Sequence, residues 1–286
     1  MPSERELRRR VRSVRNIQQV TRAMQTVSAS KMRRAQQAVL ASRPYENRLR
    51  TILNDLAPYA DPEVHALLAR RPVRRAGIIL VTTDRGLVGA LNANLLRAAL
   101  RHAENLPAVS YVAVGRRGVG QLRRLRMPVV AEFSNLGDRP RAADTNIIAR
   151  VAQEEFLAER VDEVHLAFTR FVSTLRQVPS IRRILPLVPE EEDVDRLPPL
   201  QYLFEPDPAT VLQAVLPRVI EVSVYQAVLE NIASEHSARM IAMRNATDAA
   251  ADLIDSLTLA TNKARQSRIT KEMLEIASGA EALAKG

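Results

Sequence analysis

Residues 218–278 read RVIEVSVYQAVLENIASEHSARMIAMRNATDAAADLIDSLTLATNKARQSRITKEMLEIAS and contain neither glycine nor proline. Such a segment favours one uninterrupted helix, which at about 1.5 Å per residue would be roughly 90 Å long. A compact domain of this size cannot contain it. A thin, alanine-rich stripe recurs along it, which is typical of a helix packed against one partner helix. The stripe consists of Leu229, Ile232, His236, Met240, Met243, Ala250, Leu253 and Leu257.

A second long helix is predicted at the other end of the chain. No glycine or proline occurs between Ser3 and Arg43, and Pro44 is expected to kink or end the helix. The apolar positions recur three or four residues apart, at Leu7, Val11, Val14, Ile17, Val20, Met24 and Val27. Two such helices at opposite ends of one chain predict an antiparallel coiled coil. The longer C-terminal helix should outrun its partner by roughly 10 to 20 residues.

The middle of the chain alternates short apolar segments with amphipathic ones. The predicted strands are AGIILVTTD (76–84), VSYVAVG (109–115), MPVVAEF (127–133) and DEVHLAFTRFVS (162–173), with RQVPSIRRILPLV (176–188) as an edge strand. The predicted helices are LNANLLRAALRHAENL (91–106) and DTNIIARVAQEEFLAERV (144–161). Alternation of this kind predicts an α/β domain. The expected fold is thus a Rossmann-like α/β domain at 75–200, inserted between paired coiled-coil helices at 1–58 and 207–286.

The charge of the chain is concentrated at its N-terminus. Residues 1–50 hold 13 lysines and arginines against Glu4, Glu6 and Glu46, and the net charge of the whole chain is +10. Such a block favours an acidic partner, which could be nucleic acid, anionic lipid or an acidic protein surface, although a solvated helix face is the alternative. No aromatic residue precedes Tyr45, so stacking on single-stranded bases is excluded there. Phosphate contacts with duplex DNA remain open.

Motifs for catalysis or cofactor binding are missing from the sequence. TTDRGLVGALN (82–92) lacks both phosphate-binding glycine patterns, and its glycines suit a tight turn. The chain has no cysteine, and its four histidines are scattered without metal-ligand spacing. The acidic PEEEDVD segment (189–195) lacks the ligand pattern of a calcium loop and is expected to be solvated. We therefore expect no catalytic residue, no cofactor and no metal site.

Membrane insertion is likewise not expected. The start, MPSERELRRR, has no apolar stretch like that of a signal peptide. No run of about 18 consecutive apolar residues follows. The sequence predicts a chain that is made in the cytosol and is not itself inserted in a membrane, but docks on a membrane complex at most.

Several segments resemble the gamma subunit of F-type ATP synthases along the whole chain. They are RRRVRSVRNIQQVTRAMQTVSASKMRRAQ (8–36), TTDRGLVGALN (82–92), ASEHSARMIAMRNATDAAADLI (233–254) and NKARQSRITKEMLEIASGAEAL (262–283). The resemblance implies a rotating central stalk that couples proton flow to ATP chemistry on a hexamer of alpha and beta subunits. It implies further contacts with the epsilon subunit and the c-subunit ring. The location implied is the cytoplasmic face of the inner membrane, as a peripheral protein.

The resemblance also implies partner-contact residues. Met24 matches a methionine that faces a beta subunit, and Arg239 is expected opposite it on the C-terminal helix. Contacts with the hexamer are implied for Arg265, Gln266, Thr270 and Glu272, and a shaft tip for Met273, Leu274, Ile276 and Ala280. Two other classes stay open: a basic coiled-coil protein that binds nucleic acid and carries an α/β head, and a small α/β enzyme with helical oligomerisation arms.

Overall fold

A computed structural model of the chain describes residues 3–56, 65–187, 205 and 207–284. The helices are α1 (Glu4–Leu56), α2 (Leu91–Ala103), α3 (Arg116–Arg124), α4 (Ala142–Leu157) and α5 (Pro208–Ala284), with a short 3-10 turn at Ala66–Leu68. The strands are β1 (Ala76–Val81), β2 (Val109–Val114), β3 (Val129–Phe133), β4 (Glu163–Phe171) and β5 (Gln177–Leu185). The acidic segment 189–195 lies outside the described residues.

The five strands form one sheet in the order β3-β2-β1-β4-β5. The first four strands run parallel, and β5 pairs antiparallel with β4 at one edge. Side chains alternate between the two faces of β1. Ile78 and Leu80 pack with α2 and α3, whereas Ile79 and Val81 pack with α4 and with segments of α1 and α5. The predicted α/β domain and the edge strand are therefore present.

Helix α3 was not predicted, because its sequence GRRGVGQLRR is rich in glycine. The structure shows why glycine is required there. Gly115 has a φ of +91°, and a Cβ atom on it would lie 2.3 Å from the carbonyl oxygen of Thr82. A Cβ atom on Gly118 would lie 2.7 Å from the Thr82 hydroxyl, which accepts a hydrogen bond from the Gly118 N–H at 2.8 Å. Close packing against β1 thus overrides the low helix propensity of glycine.

Of the two outcomes expected at Pro44, the end of the helix is wrong, since α1 continues through it to Leu56. A helix-interior proline leaves the carbonyl group four residues earlier without its N–H partner. Here that residue is Leu40, and the side chains of both Leu40 and Pro44 lie on the exposed side of the helix. Helix α5 is likewise longer than residues 218–278 and includes Pro217.

By length and composition, α5 also qualifies as a candidate membrane span. An 18-residue window within Pro208–Ala280 has a mean hydropathy of 1.2, and 56% of that window is buried inside the protein. A helix that packs on a sheet passes the same test. The finding therefore does not by itself assign a membrane location.

The chain divides into two compact units, one formed by Met1–Val27 with Met240–Gly286 and the other by Ser28–Arg239. Among the described residues, polar contacts join α1 and α5 within the first unit. The Thr21 and Thr247 hydroxyls are 2.7 Å apart, Gln18 Nε2 donates to the Thr247 carbonyl at 3.4 Å, and Arg268 lies 3.3 Å from Glu4. The domain boundaries 1–58, 75–200 and 207–286 stay a prediction.

The residues that face inward in this first unit differ from the predicted stripes. On α1, Leu7, Val11 and Val14 are followed by Gln18 and Thr21. Ile17, Val20 and Val27 instead expose 54 to 57% of their surface. On α5, Leu253 is 47% exposed, and the less exposed positions are Met243, Thr247, Ala250, Ile254 and Leu257. Their alternating spacing of four and three residues is the heptad spacing of a coiled-coil seam. A stripe drawn through apolar residues alone misses the polar members of that seam.

Candidate functional site at the carboxyl edge of the sheet

The carboxyl ends of β1 and β4 form the edge where this topology usually binds a ligand. The chain builds the sheet outward from β1 through β2 to β3, and then returns to place β4 on the other side of β1. The point between β1 and β4 is a topological switch point, and open α/β sheets bind ligands in the crevice outside it. The residues after β1 are Thr82, Thr83 and Asp84, and β4 ends at Phe171.

In this protein an ion pair between a buried glutamate of α5 and an arginine of α1 that is 39% exposed occupies the end of β4. Glu230 of α5 accepts a hydrogen bond from the Phe171 backbone N–H at 2.7 Å and two from the Arg43 guanidinium at 2.9 and 3.2 Å. Arg43, on α1, also donates to the Phe171 carbonyl at 3.2 Å. The Glu230 side chain is only 6% exposed. Gln226 donates to Glu230 at 3.3 Å and accepts a hydrogen bond from the Ser42 hydroxyl.

Two buried serines extend these contacts along α5. The Ser234 hydroxyl donates to the Thr169 carbonyl at 3.1 Å, and the Ser237 hydroxyl donates to the Thr174 carbonyl at 2.6 Å. Both serines are fully buried. We call this set the helix–sheet junction. It consists of Ser42 and Arg43 on α1, Gln226, Glu230, Ser234 and Ser237 on α5, and their backbone partners at Thr169, Phe171 and Thr174.

Arg239 binds the turn after β1. Its guanidinium donates to the Gly86 carbonyl at 3.2 Å from Nη2 and at 3.4 Å from Nε, and it lies 2.6 Å from Glu235. Burial raises the pKa of Glu235, and the Arg239 charge opposes that effect only in part. Arg239 is itself buried. Arg239 thus has polar contacts with Gly86 and Glu235 within its own unit, and its assignment as a partner contact stays a prediction.

His236 lies beside a surface carboxylate. Its Nε2 atom is 3.1 Å from Asp138, whose other oxygen accepts a hydrogen bond from Lys31 at 2.6 Å. Burial lowers the pKa of His236 to about 4. Burial alone would raise the pKa of Asp138, but the hydrogen bond from Lys31 and the neighbouring positive charges lower it. The imidazole is therefore neutral at pH 7, and the His236–Asp138 contact is not an ion pair there.

The loop TTDRGLVGALN holds the other strands together at this edge. Asp84 accepts hydrogen bonds from the backbone N–H groups of Arg116 at 3.0 Å and Asn135 at 2.8 Å, which follow β2 and β3. The cavity beside Asp84, Asn231 and Glu235 has a volume of only about 40 Å³. Ligand pockets usually have roughly 300 to 1,000 Å³. In the described part of the chain the crevice beside Asp84 is thus filled by the protein's own side chains, which attach helices to the sheet. Another cavity, of about 800 Å³, is lined by residues 86–89 of the loop and by residues of α2 and α3.

The described residues contain no cluster of three or more His, Asp or Glu side chains placed to hold a metal ion. Each of the four histidines instead has a neighbour within the protein. His65 lies 3.2 Å from the Ala209 carbonyl, and His102 lies 3.2 Å from His165. The arrangement at the carboxyl edge can fix helices mechanically. It presents no nucleophile paired with a base.

The other predicted contact residues belong to the first unit. Met24 is half-buried, and Arg265, Gln266, Thr270 and Glu272 are exposed, with Glu272 accepting a weak hydrogen bond from Arg268 at 3.4 Å. The predicted tip residues are exposed as well, by 64% at Met273, 62% at Leu274 and 73% at Ile276, and Ala280 is also exposed. Their assignment as partner contacts stays a prediction.

Sequence reasoning did not single out the helix–sheet junction. A signal for it was present, because Gln226, Glu230, Ser234 and Ser237 recur at intervals of four, four and three residues along the predicted helix. That spacing places polar groups on one face of a helix. Where such a face is buried, its polar side chains need hydrogen-bonding partners on the element beneath it.

Comparison with known proteins gives one consistent result. A family model described as ATP synthase matches residues 3–283. The ATP synthase gamma chain of Roseiflexus castenholzii is 51% identical over 100% of both chains. That of Dehalococcoides mccartyi strain 195 is 48% identical over 99% of this chain and 100% of the relative.

A solved structure has the same fold. A chain of the Euglena gracilis mitochondrial ATP synthase, in an OSCP/F1/c-ring structure, aligns with a TM-score of 0.69 and 20% identity, over 98% of this chain and 94% of that chain. A long C-terminal helix joined to a mixed α/β sheet is thus shared with a chain of a known rotary complex. Together with the full-length identity to gamma chains, this shows that the chain belongs to the ATP synthase gamma chain family.

Proposed function

We propose that this chain is the central-stalk subunit of a proton-translocating ATP synthase and couples proton flow mechanically to ATP synthesis or hydrolysis. Its relatives carry the name of the gamma chain of that membrane-associated complex. The chain acts as a coupling part, and the ATP chemistry occurs on other subunits. The proposed location is the cytoplasmic face of the inner membrane, as a peripheral protein.

The observation that carries this proposal is the helix–sheet junction. A rotor must transmit torque between its α/β domain and its helices without slipping. Apolar packing is not directional, whereas hydrogen bonds are. Glu230 and Arg43 together bond both the N–H and the carbonyl of Phe171, so sliding or rotation of either helix on the sheet would break charge-assisted hydrogen bonds in a buried site. This junction suits a mechanical role better than a ligand-binding role.

The proposed shaft is an antiparallel coiled coil of the helices in 1–58 and 207–286, with the α/β domain at 75–200 inserted between them. The heptad spacing of the inward positions on α5 supports it. So do the contacts of Thr21 with Thr247 and of Glu4 with Arg268, because they run in opposite directions along the two helices.

The proposed partners are the alpha and beta subunits of a hexamer, the epsilon subunit and the c-subunit ring. Exposed apolar side chains at Ile17, Val20 and Val27 surround Met24 and support a protein contact on that part of α1. The exposed polar side chains of Arg265, Gln266, Thr270 and Glu272 suit contacts with loops of the hexamer. The apolar tip residues Met273, Leu274 and Ile276 suit a sleeve that tolerates rotation, because they form no directional bonds.

Reconstitution with purified alpha and beta subunits from a relative tests the proposal. We expect a stable complex in which a label on this chain rotates during ATP hydrolysis, and no hydrolysis by the chain alone. Charge reversal by Arg265→Glu should lower coupled ATP synthesis more than assembly. Arg244→Glu is the control, because Arg244 is also exposed on the same helix. Failure to form any complex would exclude the proposed role, and equal effects of both reversals would remove Arg265 from the coupling path.

The nucleic-acid alternative finds no support among the relatives. A direct test is the affinity of the chain for duplex DNA as a function of salt, since phosphate contacts by the N-terminal arginines would give a steep decline. Tight binding with such a slope, together with no binding to the alpha and beta subunits, would favour this alternative.

A further inference from the structure

A basic cavity lies in the unit Ser28–Arg239, on the side of the sheet opposite the carboxyl edge of β1. Its volume is about 620 Å³, within the range of roughly 300 to 1,000 Å³ that is usual for ligand sites. Segments of α1, β5 and α5 surround it. Four arginines line it, namely Arg50, Arg70, Arg71 and Arg183.

Two of these arginines have no polar partner among the residues that the structure describes. Arg70 and Arg183 are exposed, and neither has a hydrogen bond or ion pair with any other described residue. Arg71 is held in place, since it donates to the Phe156 carbonyl at 3.1 Å and its guanidinium lies 4.9 Å from the centre of the Phe156 ring. Its nearest carboxylate, Glu159, is 3.9 Å away. A fixed arginine beside two unpaired ones is a favourable arrangement for an anion.

The two acidic residues in the lining are already engaged by the protein. Asp162 accepts hydrogen bonds from the backbone N–H groups of Arg75 at 2.9 Å and Arg74 at 2.8 Å, which lower its pKa. Glu163 lies 2.9 Å from His165. Arg50 also has a carboxylate partner, since it lies 3.5 Å from Glu46. Among the described lining residues, the surplus of positive charge therefore comes from Arg70 and Arg183.

An irregularity in β5 helps to build the cavity. Successive side chains of a regular strand point to opposite faces, yet Arg183 and Ile184 both line this cavity. The register between β4 and β5 shifts at Val164/His165, and such bulges redirect side chains. Leu53, Ile184 and Leu187 are buried and form an apolar floor beneath the arginines.

We propose that this cavity binds a small phosphate-bearing anion. Guanidinium groups bind phosphate oxygens through paired hydrogen bonds, and the apolar floor accommodates a non-polar portion of the same ligand. The source is either a free phosphate compound or the headgroup of an anionic phospholipid. The proposal stands independently of the rotary function, because it rests on a different part of the unit.

Calorimetric titration with inorganic pyrophosphate tests the site. About 0.15 M salt limits long-range attraction by the N-terminal arginines, because the Debye length is then about 8 Å. The test variant is Arg70→Gln/Arg183→Gln, which changes two exposed residues and should leave the fold intact by circular dichroism. The control is Arg124→Gln/Arg150→Gln, which removes the same charge from exposed positions outside the cavity. We expect the test variant to bind at least about tenfold more weakly than the control.

Co-sedimentation with vesicles distinguishes the two sources. Vesicles with an anionic phospholipid are compared with vesicles of neutral phospholipid only. Loss of anionic-vesicle binding in the test variant but not in the control supports a lipid headgroup. A difference between the variants with pyrophosphate alone supports a free phosphate compound. If the two double variants behave alike with both ligands, or if neither ligand binds the unaltered chain, the proposal is wrong.

Discussion

The two halves of α5 use their polar residues in opposite ways. Between Pro208 and Arg239, Gln226, Glu230 and Ser234 are buried and bond to the backbone of the sheet and to α1. From Met240 to the end, the buried positions thin out, and from Arg265 to Ala280 every residue is exposed. Apolar residues are exposed there too, at Met273, Leu274 and Ile276. The comparison teaches that one continuous helix can be an internal structural element in one half and a surface in the other.

The largest expected effect is at the ion pair of Glu230 and Arg43. Glu230→Ala leaves Arg43 and the Phe171 N–H without their acceptor. Because the Arg43 side chain is 39% exposed and can be rehydrated, we expect a loss at the lower end of the range for a broken buried pair, about 3 kcal/mol. Urea unfolding should show a loss of that order. Glu221→Ala is the control on the same helix, because Glu221 is less buried than Glu230 and pairs, among the described residues, with the half-exposed Arg218. We expect the control to lose less than about 1 kcal/mol. Similar losses for both variants would contradict a central role of Glu230 in the junction.

The next effect is a pH dependence of the free energy of unfolding, caused by a histidine in the buried half of α5. An unfolded histidine titrates near about 6.5, whereas the pKa of folded His236 is lowered to about 4. The unfolded chain therefore binds more protons between these values. The contribution of His236 to the free energy of unfolding is fully present above about pH 6.5 and is lost as the pH falls toward about 4. Between pH 7 and pH 5 the unaltered chain should lose about 2 kcal/mol more than His236→Gln.

Urea unfolding of both proteins at the two pH values measures this difference. Glu235 has a raised pKa and acts in the opposite sense, but it is present in both proteins. Asp138, Lys31 and Arg239, which surround His236, are likewise unchanged between them. A variant with the same pH dependence as the unaltered chain would mean that His236 is not the titrating group.

A smaller effect is expected at the buried serines. Ser234→Ala leaves the Thr169 carbonyl without this donor, and the loss of one such hydrogen bond costs about 1 kcal/mol. Ser256→Ala is the matched control, since its hydroxyl also donates to a backbone carbonyl but is exposed. The control should change stability by less than about 0.5 kcal/mol. Thermal unfolding resolves the two, and equal changes would show that the Ser234 hydroxyl does not fix the helix to the sheet.

Much of the fold could be predicted from short-range patterns. The apolar run from Ala76 to Val81 is a strand with both faces covered, so its sequence is almost continuously apolar. The lack of glycine and proline in 218–278 likewise indicated the long helix. Helix α3 and the passage of α1 through Pro44 could not be predicted in this way. They depend on contact with Thr82 and on the exposure of the helix side that carries Leu40 and Pro44, neither of which is a property of local sequence.

The candidate site was less predictable than the fold. Arg239 was assigned to a partner by resemblance, yet its nearest groups are Gly86 and Glu235 of its own chain. Such a contact joins residues 153 positions apart in sequence, and a single sequence does not specify it. The same holds for Thr21 and Thr247, where polar residues occupy inward positions while neighbouring apolar ones are exposed.

The smallest effect on stability is expected at the end of α5, where function should change instead. Replacing Met273, Leu274 and Ile276 together by alanine removes exposed side chains, so the free energy of unfolding should change by no more than about 0.5 kcal/mol per site. Leu229→Ala is the contrasting variant in the buried half, where Leu229 is 4% exposed, and it should lose about 2–5 kcal/mol.

In the free chain, amides from Met273 to Ile276 should exchange rapidly, because a helix end without tertiary contacts is marginal in water. In the complex with alpha and beta subunits they should exchange slowly, and the triple variant should synthesise ATP less efficiently. Strong amide protection of Met273 to Ile276 in the isolated chain would mean that this segment packs on the chain itself, and the contrast between the two halves of α5 would then be lost.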